Sequence, residues 1–219
     1  MWTSEVNTMI INGIGETLYM TLLSTAIGYL FGLPLGIWLA VTDKDGLIPN
    51  KGVYKILDIV VNVVRSIPFL ILLILISPLT RFLIGKSTGS TATIVPLVVA
   101  AIPFIARLVE SSIKEVDFGV IEAAKSMGEG NPRIIIKVLL VESRTSIVTG
   151  ITIACGTILG YSAMAGIVGG GGLGDIAVRY GYYRYQSDIM IVTVVLLIIL
   201  VQIFQSAGTF TASKIDKRK

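Results

Sequence analysis

Gly169-Gly170-Gly171-Gly172-Leu173-Gly174 has the G-x-G-x-x-G spacing that cradles a dinucleotide pyrophosphate. That chemistry needs a strand before the glycines and a helix after them, and here an apolar run precedes them. A flexible hinge or a packed turn is therefore expected, not a cofactor cradle. Arg65 is the one charge within an apolar run, a setting in which ionisable residues are functional candidates. It is expected to anchor the run, by pairing with Asp58 at i−7 or by reaching back to the membrane interface, or else to contact a substrate carboxylate. The third segment is Glu122-Ala123-Ala124-Lys125-Ser126-Met127-Gly128. Its paired alanines allow close approach by a partner, so its chemistry is docking. The chain has no histidine, which removes Ser-His-Asp triads, histidine proton shuttles and the usual zinc sites. No acidic cluster in the apolar runs suggests a metal. Cys155, the single cysteine, cannot form an intrachain disulfide.

These segments must be positioned by elements suited to lipid. Of the 219 residues 53% are hydrophobic and only 15% charged, where soluble domains carry about 25% charged residues. So few charges cannot cover a soluble surface, and an integral membrane protein follows. The net charge of +4 does not point to nucleic acid, because the basic residues fall between apolar runs instead of on one face. Met1 to Glu16 lacks the basic n-region of a cleavable signal peptide, so none is expected.

A crossing helix needs about 20 apolar residues. Thr17–Thr42, Ser87–Ala106, Thr145–Gly174 and Ile189–Ser213 are uncharged and long enough. Ser66–Thr80 has 15 uncharged residues and crosses only if Arg65 and the Ile59–Val64 run join it; a re-entrant segment is the alternative. Lysine and arginine decide, since cytoplasmic loops are enriched in both. With five spans and the N-terminus outside, 13 basic residues fall inside: Lys44, Lys51, Lys55, Arg107, Lys114, Lys125, Arg133, Lys137, Arg144, Lys214, Lys217, Arg218 and Lys219. Only Arg81, Lys86, Arg179 and Arg184 fall outside. Without the short crossing the split is 8 inside to 10 outside. The expected fold is an all-α integral membrane protein of five transmembrane helices, one domain over residues 1–219, with its C-terminus cytoplasmic.

Residues 107–144 form the one long cytoplasmic loop in this scheme, with six basic and six acidic residues among Ile, Val, Ala and Leu. That mixture predicts amphipathic helix instead of a linker. Gly128 and Gly130 should end a first helix, and Pro132 should open a second over Arg133 to Leu140. In the first span Ser24, Gly28, Gly32 and Gly36 recur every four residues, so they share one face suited to close helix approach, within the subunit or between subunits. Pro34 should bend that helix, and Pro96 and Pro103 should kink the third span.

Glu122-Ala123-Ala124, three residues, Gly128, and nine more to Val138-Leu139-Leu140 resemble the coupling loop of ABC importer permeases. Val138 stands where that pattern has Ile, and Val141 where it has Pro, which should let the helix run on towards the next span. Arg65-Ser66-Ile67-Pro68-Phe69, Pro103-Phe104-Ile105-Ala106-Arg107, Gly160-Tyr161-Ser162-Ala163-Met164-Ala165-Gly166 and the glycine run with Tyr180–Tyr185 are similar to the methionine-uptake branch. The resemblance implies a bacterial cytoplasmic-membrane permease acting as a homodimer. It implies two partner ATPase subunits that bind ATP and Mg, an extracytoplasmic methionine-binding protein, and transport of D- and L-methionine by alternating access. Glu122, Ala123, Ala124, Met127, Gly128 and Pro132 would then couple to the ATPase.

The Gly160–Gly166 window holds only two large side chains, Tyr161 and Met164. So thin a helix leaves space along one side. Met164, flexible and polarisable, is expected to line or gate a path near the dimer axis with Ser162 and Tyr161, or else to fill a close-packed interface. No G-x-x-x-x-G-K-[ST] occurs, so ATP binding belongs to another subunit and the chain is no enzyme. A permease for another amino acid or an osmoprotectant is the nearest alternative, ahead of a passive channel or an intramembrane enzyme.

Overall fold

The computed structural model describes residues 4–216 and is all-helical, with no strand among the described residues. The basic residues Lys217, Arg218 and Lys219 lie outside them. Four helices are long and apolar enough to cross a membrane, and a bent pair allows a fifth crossing. Helix α1 (Ser4–Thr42) starts well before the expected Thr17, because Glu5 and Glu16 do not interrupt it. Its 39 residues span about 58 Å, roughly twice the hydrocarbon core, so it must project beyond the core or tilt strongly within it.

The short uncharged run is not a straight span. Helix α2 (Lys51–Ser66), capped by Asn50 accepting from the Val53 N–H at 3.1 Å, stops where Ile67 becomes extended ahead of Pro68. Helix α3 (Phe69–Leu75) then leaves at 99°. Helix α4 (Ser77–Ile84) follows and ends on Gly85 at φ +81°. Helix α5 (Ser90–Lys114) carries Pro96 and Pro103 and continues past Arg107, so the first part of the expected cytoplasmic loop is still this helix.

The core is built where α5 lies against α1. Leu97, Ala101, Ile105 and Val109 are fully buried there with Met20. The glycine stripe permits this contact, since a Cβ on Gly32 would stand 2.9 Å from the Ile102 carbonyl oxygen, and Gly28 and Gly36 face Ala101 and Val109 in the same way. Its partner is thus a helix of the same chain.

Two shorter helices follow: α6 (Phe118–Ser126) and α7 (Asn131–Ile134). A wide π turn (Ile135–Leu139) leads from α7 into α8 (Leu140–Glu142). Helix α9 (Arg144–Ala165) ends earlier than the expected Gly174. Four consecutive glycines give poor helix and allow the positive φ values of Gly169 (+77°), Gly171 (+81°) and Gly172 (+74°). The chain folds back there, so that Gly166 packs on the backbone of Gly174 and Asp175. After α10 (Gly172–Ile176) and a second π turn (Ala177–Tyr182), α11 (Ser187–Ile215) closes the bundle beside α9.

The glycine run is pinned and is not a flexible hinge. Gly172 N–H donates to the Glu16 carboxylate at 2.6 Å and Leu173 N–H to the Thr17 hydroxyl at 2.9 Å. Thr93 Oγ1 donates to the Gly170 carbonyl at 3.1 Å, and Gly89 N–H to that of Gly169 at 2.8 Å.

Candidate functional site

The polar groups gather where the last turns of α5 meet α2 and the turn after α1. Glu110 is only 3% exposed, and a buried carboxylate needs partners to remain charged. It accepts from Arg107 Nη1 at 2.6 Å and from Lys114 Nζ at 2.7 Å, with Tyr54 Oη donating at 3.3 Å. Arg107 also donates to Asp58 and, at 2.8 Å, to Asn62 Oδ1. Lys114 reaches Asp43, just beyond α1, at 2.7 Å, and its ammonium holds that carboxyl below the usual carboxylate range. Five charged groups from three elements thus form one ladder. Asp58 is engaged by Arg107, not by Arg65 as expected, because it points across to α5 instead of along α2. Arg65 is exposed and borders a small cavity with Phe69, Phe104 and Tyr161.

From this anchored end α5 passes through Glu115, Val116 and Asp117 into the projection. Glu115 accepts from the Ser146 hydroxyl of α9 at 2.5 Å. Asp117 caps α6 by accepting the Gly119 N–H at 2.7 Å. The first helix closes where Met127 N–H donates to Ala123 O at 3.1 Å, and Gly128 at φ +79° turns the chain. Pro132 lies in the first turn of α7, where its missing N–H costs nothing.

Ala124 is buried against the body of the protein, whereas Glu122, Ala123, Gly128 and Pro132 are exposed. Met127 is 77% exposed, with Phe118 and Ile136 also bare. The outward surface therefore sets bare apolar side chains among exposed charges at Glu122, Lys125, Arg133 and Lys137, a mixture suited to seating in another protein. Beneath α6 lies a cavity of about 320 Å³ bordered by Asp43, Leu47, Lys114, Phe118, Ile121 and Lys125. Glu129 and Arg133 pair at 2.9 Å across the turn.

Tyr161, Ser162 and Met164 do not converge. Ser162 is buried and donates to the Leu159 carbonyl at 2.7 Å, so it faces the bundle. The Tyr161 ring stacks on Phe69 at 4.6 Å and ties α9 to the bend before α3. Met164 is half exposed on the side where Gly156 and Gly160 have open space. Sequence reasoning missed the ion ladder. Arg107, Glu110 and Lys114 at i, i+3 and i+7 were its one local signal.

Comparison with known proteins agrees with this architecture. A probable D-methionine transport permease protein of Vibrio cholerae, MetI, is 48% identical over 99% of this chain and 96% of its own. A methionine import permease protein of Bacillus subtilis, MetP, is 45% identical over 94% of this chain and 93% of its own. A solved chain of the MetNI methionine ABC transporter, in an inward-facing conformation, superposes with a TM-score of 0.97 at 42% identity, covering 99% of this chain and 100% of that one. Residues 32–216 match the profile of the binding-protein-dependent transport system inner membrane component, and the chain belongs to that family.

Proposed function

We propose that this chain is the permease subunit of an ATP-driven importer that carries D- and L-methionine across the bacterial cytoplasmic membrane. The near-complete superposition on the MetNI transporter chain supports this most. As a transport subunit and not an enzyme, it leaves ATP and Mg to a separate ATPase. Two copies flank the substrate path, and an extracytoplasmic methionine-binding protein delivers from the other side.

In this reading the bent α2–α3 pair counts as one of five crossings, with the N-terminus outside and Lys214 at the cytoplasmic end. The projection formed by α6 and α7 seats in the ATPase through Ala123, Met127 and its apolar rim. ATP-driven closure of the ATPase moves the projection, and the ladder centred on Glu110 carries that movement into α1, α2 and α5. The bundle thereby exchanges outward-open for inward-open states, each stabilised by a different ligand. Met164 lies beside the passage and narrows it; Tyr161 holds α9 in place behind it.

The test is labelled methionine uptake into proteoliposomes holding this chain, its ATPase and its binding protein, with and without internal ATP. ATP-dependent uptake supports the reading. Uptake indifferent to ATP overturns the importer, and ATPase stimulation by a binding protein for a different solute overturns only the substrate.

A further inference from the structure

The two halves of α11 differ in chemistry. Ile189–Leu200 is almost wholly aliphatic, as a lipid-facing helix should be, whereas Gln202, Gln205, Ser206, Thr209 and Ser213 follow at spacings that place them on one face. Gln205 and Thr209 of this stripe border a groove of about 550 Å³ between α11 and α9, whose opposite wall carries Thr149, Thr152 and Thr157. Gln202, Ser206 and Ser213 line the hollow beside it on α11. Gly156 lies in the groove with open space where a Cβ would be. At the cytoplasmic side of Gly156 the helices touch, Gly208 lying directly on the Thr152 side chain.

The amides of Gln202 and Gln205 bond to no other group among the described residues. Gln205 is nine residues from Lys214, about 14 Å inside the basic end of the helix by its rise. An amide left bare in hydrocarbon at that depth is costly, so this face meets water or a polar ligand. The threonines opposite have spent their donors, for Thr149, Thr152 and Thr157 each donate to a carbonyl four residues earlier at 2.9–3.2 Å. Their free lone pairs suit an ammonium donor, and the Gln205 N–H groups suit a carboxylate. No Asp, Glu, Lys or Arg borders the groove.

We infer that the α9–α11 groove is the cytoplasmic leg of the substrate path, a neutral hydrogen-bonding lining for a zwitterionic amino acid with an apolar side chain. Both charges of the zwitterion find partners, yet neither meets an opposite formal charge that would trap it. A passage works when entry is favourable and departure easy. The inference rests on the importer reading above and extends it to named residues.

The test uses the complete permease–ATPase complex in proteoliposomes, in a Cys155→Ala background that removes the native thiol. Gln205→Cys and Thr209→Cys are compared with Ile191→Cys and Ile198→Cys, on the aliphatic half, for reaction with a charged, membrane-impermeant methanethiosulfonate. The groove residues should react about tenfold faster than the aliphatic pair, as water-exposed thiols against lipid-exposed ones. Vanadate trapping should protect them, and labelling should cut methionine uptake several-fold. Equal rates at all four positions overturn the inference. So does cross-linking of two copies through Gln205→Cys without labelling, which would make the face a subunit contact, or labelling that leaves uptake unchanged. If the unlabelled parent carries no methionine, the importer reading fails, while the labelling contrast still decides whether the groove holds water.

Discussion

Lys114 and Asp43 meet at 2.7 Å across the gap between the end of α5 and the turn after α1. Folding lowers the Asp43 pKa, chiefly through this bond. A lowered carboxyl contributes stability that is whole at neutral pH and is lost as pH falls through the folded-state value. Since the lysine is partly open to water, Asp43→Asn should cost only about 0.5–1 kcal/mol at pH 7. The cost should vanish once the pH falls well below about 4, where the native carboxyl is protonated as well. Thermal unfolding of the detergent-solubilised complex at several pH values measures this, and a constant difference between the two proteins would refute it.

Glu110 is a different case because it is buried between two cations. Glu110→Gln leaves Arg107 and Lys114 facing each other without their shared anion, and should cost about 3 kcal/mol, the scale of breaking a buried pair. Adding Lys114→Met should recover part of the loss. A double variant no more stable than Glu110→Gln would argue against a shared ladder.

Gly128 has open space around it, so substitution there tests backbone conformation alone. Gly128→Val places a β-branched residue at φ +79° and strains the turn by about 1–2 kcal/mol. Stimulation of the ATPase by loaded binding protein should fall sharply while the complex still assembles. Gly128→Asn, which tolerates the left-handed region, should retain most of the stimulation. Equal stimulation in both variants would separate the turn from coupling.

Gly32 lies against the Ile102 carbonyl with no room for a side chain. Gly32→Leu should separate α1 from α5 and cost at least about 3 kcal/mol, at or beyond the upper end of overpacking penalties. Recovery of folded protein by size-exclusion chromatography is the readout, and Gly15→Leu, where a Cβ meets nothing, is the matched control.

Met164→Ala tests the gate proposed for this residue, since it lies away from the ladder and the projection. Basal ATPase or methionine leak should rise in the absence of binding protein. Unchanged coupling would leave Met164 as packing only.

The parts of the fold readable from sequence were those encoded by neighbours in the chain. Glu122-Ala123-Ala124 with Gly128 marks a helix and its stop within seven residues, and the helix–turn–helix appears there. The glycine stripe of α1 announced close packing but not its partner, because the face carries no label for α5. Charge counting treated Ser66–Thr80 as a crossing and could not register the 99° bend, although Pro68 marked its position. Counting uncharged residues also carried the fourth span through Gly169–Gly172, where helix propensity should have ended it. Asp58 is one of the partners the sequence offers Arg65, since both lie on one helix; Arg107, 49 residues from Asp58, holds it instead. Non-local pairing of this sort has no signature in a single sequence.

The bonds from Gly172 and Leu173 to Glu16 and Thr17 join positions 156 residues apart. During synthesis the first helix is therefore made long before the backbone groups that donate to Glu16 and Thr17, and its contact with the glycine turn closes only after most of the polypeptide exists. A chain halted before the glycine turn would leave α1 without this latch. Closure of the latch thus registers that the chain has been made at least as far as Leu173.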